Sequence, residues 1–154
     1  MTVGEFMAID TRELFARLIQ CEAGGEGEEG MKAVATVIMN RVNAQKGEFA
    51  RVSNGGDLRA IIQQPDQFTC MKTYVNGEEN FQNVYNMHPE QIHYDIADWA
   101  LAGNRYEPVG DSLFFMNPCA SECPICFPTT EIGIIYNRIG QHCFYTPRPA
   151  YDET

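Results

Sequence analysis

The sequence predicts an α+β fold, with helices first and a small antiparallel sheet after them. Three observations predict it. Apolar residues between positions 10 and 102 recur at helical spacing. Beyond Gly110 the chain becomes rich in β-branched and aromatic residues. Its 154 residues, 44% apolar and 21% charged, have the size and composition of one globular domain.

The elements follow in order. "DTRELFARLIQCEA" opens with a capping signal, Asp10 or Thr11 followed by Glu13, and places Leu14, Phe15, Leu18 and Ile19 on one face. A second helix is expected from about Gly30 to Val42, burying Val34, Ala35, Val37, Ile38 and Val42. "DLRAIIQQ" predicts a short third helix stopped by Pro65. A fourth starts near Pro89, runs through "EQIHYDIADWALAG" and stops at Gly103. "SLFFMNP" and "IGIIYNRIGQHCFYT" predict strands, the second with a turn at Asn137 to Gly140.

Charge narrows the function. Eleven Lys+Arg against 21 Asp+Glu leave a net charge of −10. Duplex nucleic acid and anionic membrane surfaces both require a basic face, so neither is an expected partner. No run approaches the ~20 apolar residues of a membrane span. "MTVGEFMAIDTRELF" lacks a basic segment followed by an apolar stretch, so synthesis in the cytoplasm without a signal peptide is expected. In that setting Cys21, Cys70, Cys119, Cys123, Cys126 and Cys143 read as thiols or metal ligands before disulfides.

One local feature stands against stability. Glu22 ends an apolar helix directly before Ala-Gly-Gly, where a carboxylate opposes the negative end of the helix dipole. Desolvation and the dipole would both disfavour its charged form, which is what an acid catalyst needs. The bland alternative is an exposed terminal glutamate. Glu28 and Glu29 suit the first turn of the next helix. Glu26 suits either that role or a place in the site.

Taken in order, "ARLIQCEAGGEGEEGMKAVATVIMNRV", "QFT", "LFFMNP" and "RIGQHCFY" resemble the SleB/CwlJ family of spore cortex-lytic cell-wall hydrolases, over roughly residues 12 to 147. The resemblance implies a lysozyme-like fold and cleavage of the β-1,4 glycan strands of peptidoglycan, often as a lytic transglycosylase. It implies Glu22 as the catalytic acid and Glu26 as a loop-orienting or substrate-contacting residue. Phe68 and Thr69 would offer a stacking face and a hydroxyl. Asn117 would bind an acetamido group, with Pro118 fixing the strand exit. His142 and Tyr145, on the last strand, complete the substrate-binding set. Core packing or a turn is the plain alternative for each. No cofactor is required for the chemistry.

A paired-carboxylate hydrolase needs a second acid about 5 to 9.5 Å away. Asp57, Asp66 and Asp111 are candidates by type, and a lytic transglycosylase needs none of them. The chain departs from the family at "CASECPICFPTTEIG", where relatives commonly carry tryptophan. Cys119, Cys123, Cys126 and Cys143 could hold a structural zinc there. Free or oxidised thiols are the alternative. Two further functions stay open: a cysteine amidase or peptidase with Cys21 as nucleophile and His142 as base, and a catalytically silent wall- or coat-binding protein. Similarity to the short branch of the family implies synthesis in the mother cell of a spore-former and deposition at the spore coat or cortex, with a coat protein as a partner.

Overall fold

The structure is a computed structural model and describes residues 9–127 and 131–154. Among the described residues five α-helices precede a four-stranded antiparallel sheet, as α+β predicts. Helix α1 spans Thr11–Ala23. Of its two candidate caps, Asp10 is the one used: its Oδ1 accepts from the Glu13 N–H at 2.7 Å. Leu14, Phe15, Leu18 and Ile19 are all fully buried.

Helix α2, Gly27–Val42, starts three residues before the expected Gly30. The earlier start rests on Gly27, whose φ of +77° suits glycine. Met31, Ala33, Val34, Ala35, Val37 and Ile38 are buried around almost its whole circumference. A helix apolar on every side belongs at the centre of a fold, and α1 and α5 pack on it. Its first turn carries Glu28 and Glu29, with Glu28 ion-paired to Lys32 at 2.9 Å.

Helix α3, Gly47–Ser53, was not legible in the sequence. It is anchored by one large side chain, Phe49, whose ring lies 5.9 Å from those of Phe114 and Tyr151. Helix α4, Leu58–Gln63, is the expected short helix before Pro65, capped by Asp57 Oδ1 on the Ala60 N–H. Helix α5, Gln91–Leu101, ends before Gly103, whose φ is +100°. His93 serves its first turn, since Nδ1 accepts from the Glu90 N–H at 2.9 Å.

Between α4 and α5 lies a hairpin absent from the sequence reading: β1 (Tyr74–Val75) and β2 (Glu78–Glu79). Its turn is Asn76-Gly77, both with positive φ, a strong hairpin signal. The main sheet has the order β3-β6-β5-β4, built from Phe114–Met116, His142–Pro147, Gly133–Ile139 and Cys126–Phe127. The β5–β6 turn falls at Gly140-Gln141, later than the expected Asn137 to Gly140. A register shift between Ile135 and Asn137 lengthens β5, so Asn137 stays within the strand. Phe114 and Tyr145 are buried on one face of the sheet and Phe144 on the other, and all three belong to the same core as the helices.

Among the described residues no helix is long and apolar enough to cross a membrane.

Candidate active site

The α1–α2 turn and the open end of the sheet face each other across a cleft with two hollows. One, of about 650 Å³, is lined by residues 20–26 together with Gln82, Glu90, His93, Asn117 and His142. The other, of about 620 Å³, is lined by Arg41, Asp66, Gln67, Phe68, Thr69, Phe115, Asn117 and His142. Glu22 lines both, at their junction. Ala23, Gly24 and Gly25 follow it, so the turn beside it carries little side-chain bulk. Among the described residues nothing donates a hydrogen bond to the Glu22 carboxyl. Burial raises its pKa to about 7, and the charge of Arg41 works in the opposite direction. The carboxyl is therefore about half protonated at neutral pH.

Arg41 belongs to the "NRV" end of α2 and carried no role in the sequence reading. Its guanidinium is buried, donates from Nε to the Leu113 carbonyl at 2.7 Å and from Nη1 to Gln67 Oε1 at 3.2 Å. It lies between the rings of Phe49 and Phe68, at 4.4 and 5.3 Å. The signal was present: an arginine next to the end of the mostly apolar, buried stretch Met31–Val42 must find partners or be expelled.

Glu26 does not cap α2 with its side chain. It crosses to the sheet instead, where Oε2 accepts from the Gln141 N–H at 3.3 Å and Oε1 lies 3.7 Å from His142 Nδ1. The carboxylate packs directly on Gly140, which has φ +58° and no room for a Cβ. Glu26 thus ties Glu22's own turn to the β5–β6 turn. His142 is buried on the cleft wall against the edge of Phe115, and among the described residues its Nδ1 has no hydrogen-bond partner. Burial lowers its pKa while Glu26 raises it, so the ring stays mainly neutral at pH 7.

The remaining expected residues divide. Asn117 and Thr69 are exposed on the cleft, Asn117 with its Oδ1 accepting from the Cys119 N–H at 2.8 Å. Phe68 reaches the cleft wall but is buried against Phe115, with Arg41 over its ring, so it is packing more than a free stacking face. Tyr145 is a correction. It is fully buried, lines neither hollow, and donates from its hydroxyl to the Pro124 carbonyl at 2.8 Å. Its work is to pin the cysteine loop to the sheet. Tyr145→Phe is expected to cost about 1 kcal/mol in denaturant unfolding and to leave turnover within about twofold of wild type.

Of the second-carboxylate candidates, only Asp66 lines a hollow shared with Glu22. Its pairing with Lys72, at 2.8 Å, lowers its pKa. Asp57 is the α4 cap and Asp111 lines a different pocket. Glu26 and Glu90, outside those three candidates, do line the cleft.

The cysteines depart from expectation. Cys123 and Cys143 form a disulfide, as do Cys21 and Cys70, with Cα atoms 5.9 and 6.2 Å apart, ordinary disulfide spacings. Two of the four proposed zinc ligands are therefore consumed. Cys119 is exposed and free, and Cys126 accepts from Arg148 Nη1 at 3.5 Å. Among the described residues no group of three or more metal-binding side chains gathers, so the tetrathiolate gives way to a disulfide. The same chemistry removes Cys21 as a nucleophile, since its sulfur is bonded to Cys70.

The sequence profile of the Cell Wall Hydrolase family matches residues 25–145, well over half of the chain. This protein belongs to that family. Among curated members, this cell wall hydrolase is 28% identical to cell wall hydrolase CwlJ of Bacillus subtilis over 135 residues, covering 88% of this chain and 84% of CwlJ. It is 29% identical to CwlJ of Oceanobacillus iheyensis, covering 90% and 87%. Against the spore cortex-lytic enzyme of Bacillus subtilis, 28% identity spans 92% of this cell wall hydrolase but 39% of the longer enzyme. The catalytic domain of the Bacillus cereus SleB protein has the same fold, with TM-score 0.62, 24% identity and 88% of each chain aligned. The SleB catalytic domain from Bacillus anthracis, described as a germination-specific lytic transglycosylase, aligns at TM-score 0.59 with 24% identity over 90% and 98%. The family match begins just after Glu22, so that residue stands on its geometry.

Proposed function

We propose that this cell wall hydrolase cuts the β-1,4 glycan strands of peptidoglycan in spore cortex during germination, with Glu22 as general acid. The observation that carries the reading is Glu22 itself: a carboxyl at the junction of two hollows, without a hydrogen-bond donor among the described residues, its proton held to about pH 7 by burial. Glu22 donates that proton to the leaving glycosidic oxygen as the bond to C1 breaks. It then stands as a carboxylate, able to take the proton from the sugar's own C6 hydroxyl while that oxygen bonds to C1. One group serves both halves, and the product is an anhydro end.

Asp66 favours a second route. It lines a hollow shared with Glu22, and its lowered pKa keeps it ionised, as a base activating water must be. Muropeptide mass spectrometry separates the routes. Anhydro-muramic ends support the single-glutamate route, new reducing ends support Asp66 and water, and cut peptides without cut glycans would contradict both. The pH dependence has a definite sign. The active form of Glu22 carries the proton, so kcat/KM should fall as pH rises through about 7.

The similarity to the spore cortex-lytic enzyme supports a place at the spore cortex; deposition at the coat with a coat protein as partner is part of the same proposal. Immunogold labelling of spores tests this; label confined to the growth medium would contradict it.

A further inference from the structure

We propose that Arg41 is a positioning residue for Glu22: a buried guanidinium without an ion-pair partner among the described residues, set on the cleft floor to stabilise the carboxylate through its charge once the proton has left. The inference rests on the reading of Glu22 as the acid.

The geometry is unusual for a core arginine. Arg41 is 3% exposed, and burying an unpaired charge is strongly unfavourable. Yet among the described residues no carboxylate oxygen lies within 4 Å of it. Its described acceptors, the Leu113 carbonyl and Gln67 Oε1, are both neutral. They take Nε and Nη1, and no described protein atom accepts from Nη2. The rings of Phe49 and Phe68 fix the guanidinium against their faces. Arg41, Gln67 and Phe68 all line the hollow that ends at Glu22. A side chain needed only for volume would not keep a charge in such a place. Arg41 keeps it even so: burial lowers its pKa only to about 10.

The other charged groups near the cleft leave this role open. Glu26 from the α1–α2 turn faces Gln141 and His142, and buried His142 on β6 stays mainly neutral. Asp66 from the loop after α4 is matched by Lys72. Glu90 and His93, at the start of α5, bond to each other across the helix cap. Glu48 and then Tyr151 act on Arg41 more strongly than Glu22 does, and all three raise its pKa, while on Glu22 the charge that acts is that of Arg41. Arg41 is the fixed positive charge acting on Glu22. A carboxyl that must be an acid and then a base needs both influences: burial to hold the proton, and a cation to stabilise the ion left behind.

The test is an isotope-edited NMR titration of the Glu22 side-chain carboxyl in wild type, Arg41→Gln and Arg41→Lys, beside pH–rate profiles. Removing the charge in Arg41→Gln should move both the titration and the alkaline limb upward by about one pH unit, with kcat falling more than KM changes. Arg41→Lys, which keeps the charge, should titrate near wild type. If Arg41→Gln does not fold, Gln67→Leu frees Nη1 from its side-chain anchor and should move the titration the same way by less. An unmoved Glu22 titration in whichever variant folds would overturn the inference. A titration that moves while turnover does not would uphold the coupling and count against Glu22 as the acid.

Discussion

Glu22→Gln is expected to lower glycan cleavage by about 10²- to 10⁴-fold, the usual contribution of a positioned general acid. The same change should make the protein more stable at alkaline pH. The Glu22 pKa is about 7 in the fold, against about 4.3 for a glutamate in an unfolded chain. Between those values the folded state holds more protons than the unfolded one, so stability is lost as pH rises from about 4.3 through 7. The full gap corresponds to about 4 kcal/mol, which sets the ceiling on what the Glu22→Gln change can restore at pH 8. At pH 4 the two proteins should unfold alike. Urea unfolding at pH 4, 6 and 8 checks the sign. Equal stabilities at pH 8 would mean that Glu22 is solvated, and the acid role would lose its physical basis. A residue that weakens its own fold and lines the cleft is explained by function better than by packing.

The second large effect concerns the Cys21–Cys70 disulfide. It joins the residue before Glu22 to the residue after Thr69, so it fastens the end of α1 to the far floor of the cleft. The two cysteines are 49 positions apart, and closing a loop of that length restricts the unfolded chain by about 4 kcal/mol. Cys70→Ala is expected to lose about that much stability, a fall in Tm of about 10 °C for a chain of this size. Glycan cleavage should fall with it, because the helix end that aims Glu22 is released. The variant also decides between chemistries. It frees the Cys21 thiol, so a cysteine amidase would gain activity where a glutamate enzyme loses it. Thiol counting on unreduced protein should find two free cysteines, Cys119 and Cys126, and six after reduction. Six without reduction would contradict both disulfides.

What could be read from the sequence depended on how local the cause was. Helices α1, α2, α4 and α5 were legible because each combines a run of apolar periodicity with a cap or a breaker within a few residues, as Asp57 and Pro65 do for α4. Helix α3 was not, because its one anchor, Phe49, packs on Phe114 and Tyr151, far away in the chain. The Asn76-Gly77 hairpin was legible in principle, but its strands are only two residues each. At the site, Glu22 could be recognised because it breaks a local rule. Arg41 needs the sheet to bring Leu113 to it, and Glu26 needs the β5–β6 turn to bring Gln141 and His142. Tyr145 was misread since alternation along a strand does not say which face meets the cleft and which the core. The cysteine spacing fitted zinc equally well, and only the approach of Cys143 to Cys123 across the sheet distinguishes a disulfide.

The most direct test of the central claim is a side-by-side digestion of purified cortex peptidoglycan by wild type and Glu22→Gln at pH 6, below the Glu22 pKa of about 7. Both proteins should be shown to be folded by circular dichroism, and their products read by muropeptide mass spectrometry. The account predicts new glycan ends from wild type, carrying anhydro-muramic acid, and none above background from the variant. New glycan ends from folded Glu22→Gln at the wild-type rate would contradict it.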